Sequence, residues 1–295
     1  MSTLVNPFTT PGRWFKANLH CHTTNSDGKA TPEERIRQYA DAGYHILALT
    51  DHWTTNELAA LDNRGMLLVD GIEVHPPRGD KHMHHFVALG APHPYTTERD
   101  DIVPAQERID DLRAQGAEIV YAHPRWTGQN VHDMLELDGW RAFEIYNSTC
   151  RRVGRPESDA IWDDLCEKGI YVGGLATDDT HHDTDALCAW TMFKMPELTF
   201  EDFMNALRSG AYYATCGPEI RRFEIAGEGK VVVECSPAAE VRLFATAPGG
   251  KSFYADREGA PIERIEYPLH PGWRYVRLEV VDKEGRKAWA NPVAL

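Results

Sequence analysis

Short apolar runs that end in a histidine, aspartate or glutamate recur through the first two thirds of the chain. No other feature restricts the fold as strongly. The run "NLHCH" carries His20 and His22, and "ILALT" is followed by Asp51 and His52. "MLLVDGI" ends at Glu73, "AEIVYA" at His123, "FEIY" at Asn147, and "YVGGLAT" at Asp178, Asp179 and His181. Near-continuous apolar strands read as parallel strands of a covered sheet, and in βα barrels functional groups gather at the C-terminal strand ends.

Amphipathic segments alternate with these runs. "TPEERIRQYADAG" predicts a helix with Thr31 as N-cap, Pro32 in the first turn, Glu34 completing a capping box and Gly43 just past the end. "PAQERIDDLRAQG", "ESDAIWDDLCEKG" and "TFEDFMNALRSG" predict three more. Seven or so strand–helix units without a Gly-rich nucleotide fingerprint favour a closed βα barrel over an open sheet. From about Pro218 the pattern changes to short strand-like runs punctuated by "APGG" and "DKEG", which reads as a small antiparallel sandwich. The expected division is 1–217 for the barrel and 218–295 for the sandwich.

Charge narrows the possible partners. With 31 Lys and Arg against 45 Asp and Glu, the formal charge is −14, which argues against long nucleic acid but not against a small anion held by bound cations. No apolar run approaches the ~20 residues that cross a bilayer. "MSTLVNPFTTPGRW" lacks the pattern of a signal peptide, and the six scattered cysteines read as free thiols, so a cytoplasmic protein without a membrane partner is expected.

Taken singly, the strand-end residues have plainer explanations. His52 could cap a helix, Asp27 sits in a Ser-Asp-Gly turn, and His123 before Pro124 could open a turn. Taken together they would require independent accidents at successive strand ends. His20 and His22, two apart, share one face of their strand, with Cys21 on the other. Eight candidate metal ligands result: His20, His22, Asp27, His52, Glu73, His123, Asp179 and His181. One catalytic metal takes about three protein ligands, so eight suit two or three ions, with Glu73 as the bridging carboxylate. The histidine content favours Mn²⁺, Zn²⁺ or Fe²⁺. Two close ions suit hydrolysis of a phosphate ester by a metal-activated water. His85 fits the site best within its histidine-rich stretch, whereas His75, His82 and His93 read as solvated loop residues. Asn147 and Arg125 are candidate substrate contacts, the latter able to grip phosphate bidentately, and Asp178 is a further candidate ligand.

The ordered motifs "HCHTTNSDG", "LTDH", "GIE", "AHP" and Asp179-Thr180-His181 resemble the PHP (polymerase and histidinol phosphatase) family. The resemblance implies a distorted (β/α)₇ barrel with a two- or three-metal site, a phosphatase or phosphodiesterase activity, and the same eight residues as ligands. It also raises His85 as a ligand or phosphate contact. Asp27 stands where some trinuclear members place a histidine. "YYATCGPEI" and the closing "DKEGRKAWANP" resemble a branch with an immunoglobulin-like tail. Two other functions stay open at this point: a metal-dependent amide or lactone hydrolase, disfavoured because no lysine ends a strand, and a non-catalytic binding protein with structural metals.

Overall fold

The computed structural model describes residues 4–78, 82–95, 103–227, 229–255 and 259–295. In chain order the elements are β1 Arg13–Asn18, α1 Pro32–Asp41, β2 Ile46–Leu49, β3 Leu67–Val74, the short β4 Pro77–Arg78 and β5 His82–Met83, and β6 Phe86–Leu89. They continue with α2 Ala105–Ala114, β7 Glu118–Tyr121, α3 Pro124–Thr127, α4 Val131–Leu135, β8 Trp140–Asn147 and α5 Asp159–Glu167. Then follow β9 Gly173–Thr177, β10 Trp190–Met195, α6 Phe200–Ser209 and β11 Tyr212–Thr215. Strands alone complete the described residues: β12 Ile220–Ala226, β13 Lys230–Ala238, β14 Glu240–Ala245, β15 Gly250–Tyr254, β16 Ile262–Pro268, β17 Tyr275–Val281 and β18 Lys287–Ala294. No described helix is long and apolar enough to cross a membrane.

Local chemistry sets the helix boundaries. Thr31 Oγ1 accepts from the Glu34 amide and Glu34 Oε2 accepts from the Thr31 amide, so the box satisfies two amides that the first turn of α1 leaves unpaired. Gly43, at φ 73°, takes the left-handed turn that lets the chain run into β2. The other three predicted helices form as α2, α5 and α6.

The fold is mixed α/β, with one 13-stranded sheet ordered β15-β14-β17-β18-β11-β10-β1-β2-β3-β6-β7-β8-β9 and a three-stranded sheet β12-β13-β16. The expected run of parallel strands holds only in part. Strands β1, β2 and β3 are parallel, as are β7, β8 and β9, but β6 is antiparallel to both neighbours and β10 to β1. The reason is local: no helix lies between β3 and β6 among the described residues, so no parallel crossover forms there. Strand β10 alternates half-buried with buried positions, as an antiparallel strand does.

Strand β9 ends the ladder order, yet it packs against β10, β11 and β18. Side chains supply the hydrogen bonds there. Thr191 Oγ1 accepts from the Ala176 amide and donates to the Ala176 carbonyl, each at 3.0 Å. Asn291 of β18 accepts from the Gly174 amide at 3.0 Å and donates to the carbonyls of Gly210 and Tyr212 at 3.0 and 3.1 Å. The approach is close enough that a Cβ on Gly173 would fall 2.0 Å from the Tyr212 hydroxyl. Asn291→Ala would take this partner from the buried Gly174 amide and remove one bond each from the carbonyls of Gly210 and Tyr212, and the expected loss is about 3 kcal/mol of unfolding free energy, measured by urea denaturation. A loss below half of that would mean that water or repacking replaces the amide.

Candidate metal centre

The strand ends bring their polar residues to one place. Past β1 the alternation turns His20 and His22 inward, both fully buried, while Cys21 is buried among Ile36, Tyr39 and Leu47. Cys21 thus packs in the core, and burial pushes its thiol pKa up. Isolated parallel bridges join Cys21 to Thr180, in the loop after β9, and His52 to Glu73, tying the ligand segments together in pairs.

Glu73 lies at the centre. Its Oε2 is 3.1 Å from His20 Nε2, 3.2 Å from His22 Nε2 and 3.2 Å from His52 Nδ1. Its Oε1 is 2.8 Å from His85 Nδ1 and 3.1 Å from His123 Nε2. Asp179 Oδ1 stands 3.1 Å from His22 Nε2, 3.3 Å from His20 Nε2 and 3.4 Å from His181 Nδ1. Asp27 Oδ1 lies 3.4 Å from His181 Nε2, and its Oδ2 lies 3.8 Å from His52 Nε2. Four overlapping groups of donor atoms could each hold an ion: His20/His22/Glu73/Asp179, Glu73/His85/His123, His22/Asp27/His52/His181 and His20/His123/Glu144. The fit to cations is physical. The Nε2 atoms of His20 and His22 face each other at 3.1 Å, and the buried Asp179 Oδ1, His52 Nδ1 and His123 Nδ1 lack hydrogen-bond partners. Buried polar atoms are otherwise nearly always paired.

Surrounding groups orient these ligands. Glu144 accepts from His20 Nδ1 at 2.7 Å, from the His123 amide at 2.8 Å, from Asn147 Nδ2 at 2.8 Å and from Thr177 Oγ1 at 2.7 Å. The first bond leaves His20 Nε2 with its lone pair toward Glu73 and Asp179, the arrangement common behind metal-bound histidines. His181 Nδ1 is similarly held by the carbonyl of Asp179 at 2.9 Å. Asp51 accepts from Thr23, Ser26 and Asn56 and so shapes the loop that carries Asp27. That loop needs Gly28, where a Cβ would fall 2.4 Å from the His22 carbonyl oxygen. Buried Arg35 of α1 donates to the carbonyls of His22 and His181. His123 and Asp179 adopt φ of 26° and 52°, conformations costly for residues with a Cβ and typical of functional sites.

Charge is distributed accordingly. Burial opposes a proton on His22, but Asp179 and Glu73 outweigh it and raise the imidazole to about 9. His20 and His123 are raised against the same opposition. Burial likewise opposes charge on Glu73 and Asp179, yet the histidines hold both below the usual carboxylate range. Burial lowers His52 and His85, which favours their neutral, ligating form.

All eight sequence-predicted ligands meet here, and His85 joins them. Asp178 does not: its carboxylate accepts from Tyr39 Oη and from the amides of Leu187, Cys188 and Ala189. Asn147 also turns inward, donating to Glu144 and Asp179 Oδ2 and accepting from the Cys150 amide, so its polar atoms are spent within the protein. Arg125 is exposed and lies outside the cavity of about 480 Å³ above the cluster. The cations at that cavity are Lys29 and Arg152, with the exposed imidazole of His182 beside them. His75 is not a solvated residue: it is partly buried, accepts from Trp53 Nε1 at 2.7 Å, and its ring lies 5.2 Å from that of His52. The side chain of His82 lies outside the described residues. Glu144 escaped the sequence reading because it sits inside β8 rather than at its end. The available signal was a carboxylate within the apolar run "AFEIYN", since a buried charge requires partners.

No family model matches the chain. A two-domain protein from Bacteroides vulgatus, described as containing a predicted PHP-like metal-dependent phosphoesterase, has the same fold, with TM-score 0.57, 16% identity and 98% of each chain covered. The 3',5'-nucleoside bisphosphate phosphatase of Chromobacterium violaceum is 42% identical over 77 residues, 25% of this chain and 27% of its own length. The 5'-3' exoribonuclease Rnm of Salmonella typhimurium is 32% identical over 97 residues, 31% of this chain and 33% of its own length. The chain therefore spans a quarter to a third of these curated relatives. The resemblance to PHP proteins read from the motifs holds in fold over nearly the whole chain and in sequence over the matched segments.

Two outcomes follow for metal binding. Glu144→Gln weakens the hold on His20, and metal affinity should fall about 10–100-fold in chelator competition while the circular dichroism stays unchanged. Because His22 carries a proton below about 9 and must lose it to ligate, ion binding at pH 7 should release protons and tighten as pH rises. Titration calorimetry in buffers of different ionisation enthalpy measures that release, and identical heats in all buffers would contradict it.

Proposed function

We propose that this chain is a metal-dependent phosphoesterase that hydrolyses a small phosphate ester. The observation that carries the reading is Glu73: one buried carboxylate whose two oxygens face different sets of histidines, beneath an open cavity. His20, His22, His85, His123 and Asp179 would hold an ion pair across Glu73, and Asp27, His52 and His181 would hold a third ion. Bound Mn²⁺, Zn²⁺ or Fe²⁺ supplies an acidified water and neutralises phosphoryl charge. The chain's own residues then do three things. Glu144 and the Asp179 carbonyl set the imidazole tautomers of His20 and His181. Asp51 and Gly28 hold the Asp27 loop over the cluster. Lys29, which has no ion-pair partner among the described residues, offers a charge to a phosphate oxygen.

The fold reading that accompanies this is a distorted (β/α)₇ barrel over 1–217, with an immunoglobulin-like sandwich over 218–295, in a cytoplasmic protein. The packing of β9 on β10 and β11 supports closure of the sheet. Of the activities named for the relatives, a phosphatase suits this chain better than an exoribonuclease. The net charge is −14, and Arg152 is already neutralised by Asp185. An amide or lactone hydrolase is less well supported, because Glu73 stands where a bridging lysine would be needed.

The test is to purify the protein, measure its metal content, and assay phosphomonoesters and phosphodiesters with and without Mn²⁺. Turnover is expected with metal, and His52→Ala or Asp179→Ala should lower it by orders of magnitude with the fold retained. No hydrolysis of any phosphate ester by the metal-loaded protein would overturn the proposal.

A further inference from the structure

The cavity above the cluster is not uniformly polar. Two of its lining residues are large apolar side chains left open to solvent: Trp126 is 43% exposed and Val153 59% exposed. Both are held from behind. Trp126 belongs to the single turn of α3, where its amide bonds to the carbonyl of His123. Val153 closes a 3-10 turn that ends at left-handed Gly154. The rings of His85 and His123 stand nearly perpendicular to the indole, at 80° and 84° with centroids 5.6 and 5.1 Å away, so both contacts are edge-to-face and neither is parallel stacking. The guanidinium beside Val153 does not offset this apolar wall, because Arg152 is bound by both oxygens of the buried Asp185.

We propose that Trp126 and Val153 form the leaving-group subsite, and that it takes a planar aromatic ring attached through a phosphate ester. The inference rests on the phosphoesterase reading and names its substrate class. Exposed apolar surface at the mouth of a polar site is costly to keep wet and is characteristic of ligand walls. An indole face recovers that cost best against a flat ring, through offset stacking. The phosphate end lies with the metal ligands and Lys29, and the ring end with Trp126 and Val153. Hydrolysis breaks the bond between phosphorus and the ester oxygen. Water supplies a hydroxyl to phosphorus and a proton to the departing alcohol, so an aromatic alcohol and inorganic phosphate are released.

The experiment compares benzyl phosphate with propyl phosphate, two primary-alcohol esters that differ chiefly in the ring, on the Mn²⁺-loaded protein. The wild type should prefer the benzyl ester in kcat/KM. Trp126→Ala should shrink that preference about tenfold, mainly through KM, and Trp126→Phe should restore most of it. Val153→Ser should shrink it less. If Trp126 merely covers His123, the variant will change both esters alike and the preference will survive, which overturns the subsite. Equal turnover of the two esters by the wild type overturns it as well. If the wild type hydrolyses neither, the wider panel of phosphomonoesters and phosphodiesters decides the phosphoesterase reading. Calorimetric binding of benzyl and propyl phosphate to wild type and Trp126→Ala then still decides the subsite: a ring preference that the variant loses supports it, and no ring preference overturns it.

Discussion

A single buried carboxylate dictates much of what surrounds it. Glu73 is 1% exposed and lies in the middle of the sheet, where an unpaired charge would be prohibitively expensive. Every strand near it answers that demand: β1 leads into His20 and His22, β2 into His52, β6 follows His85, and β7 leads into His123. The demand also fixes register. A one-residue slip of any of these strands would turn an imidazole out of the site and an apolar side chain into it. Strand pairing and site chemistry are therefore one constraint rather than two.

That coupling explains why so much was legible in the sequence. A parallel strand buried on both faces leaves polar residues only at its end, so His52, His123 and Asp179 were visible as interruptions of apolar runs. What the pattern could not reveal was anything depending on direction across the sheet. Strand β6 is as apolar as its parallel neighbours, and nothing within "FVAL" announces that it runs the other way. Glu144 was hidden for a related reason: three of its partners, His20, His123 and Thr177, come from other segments of the chain, and only Asn147 belongs to β8. Arg125 shows the opposite failure, a residue with suitable chemistry at a suitable spacing whose side chain points to solvent. Spacing places a residue near a strand end, but the turn that follows decides where it faces, and His123 takes that turn through an unusual left-handed backbone.

The ligands themselves are not equally rigid. His20, His22 and Glu73 are fully enclosed, whereas the side chain of Asp27 is 54% exposed and is held through a loop that Asp51 and Gly28 shape. The donor group containing Asp27 is thus built on the softer side of the cluster. It can shift relative to the enclosed donors without disturbing the sheet, because the loop, not a strand, carries its carboxylate.

The bond from the Gly174 amide to the side chain of Asn291 has a consequence for the order of assembly. The two residues lie 117 positions apart, so β9 cannot acquire this partner until synthesis has passed Asn291. Contacts of such long sequence separation form late and slowly. Asp179, two residues past β9, inherits the delay: the strand that leads into the last carboxylate of the cluster gains this bond only after the cluster's histidines have been synthesised. A nascent chain short of Asn291 would therefore present a cluster whose last carboxylate follows a strand not yet fixed on that side.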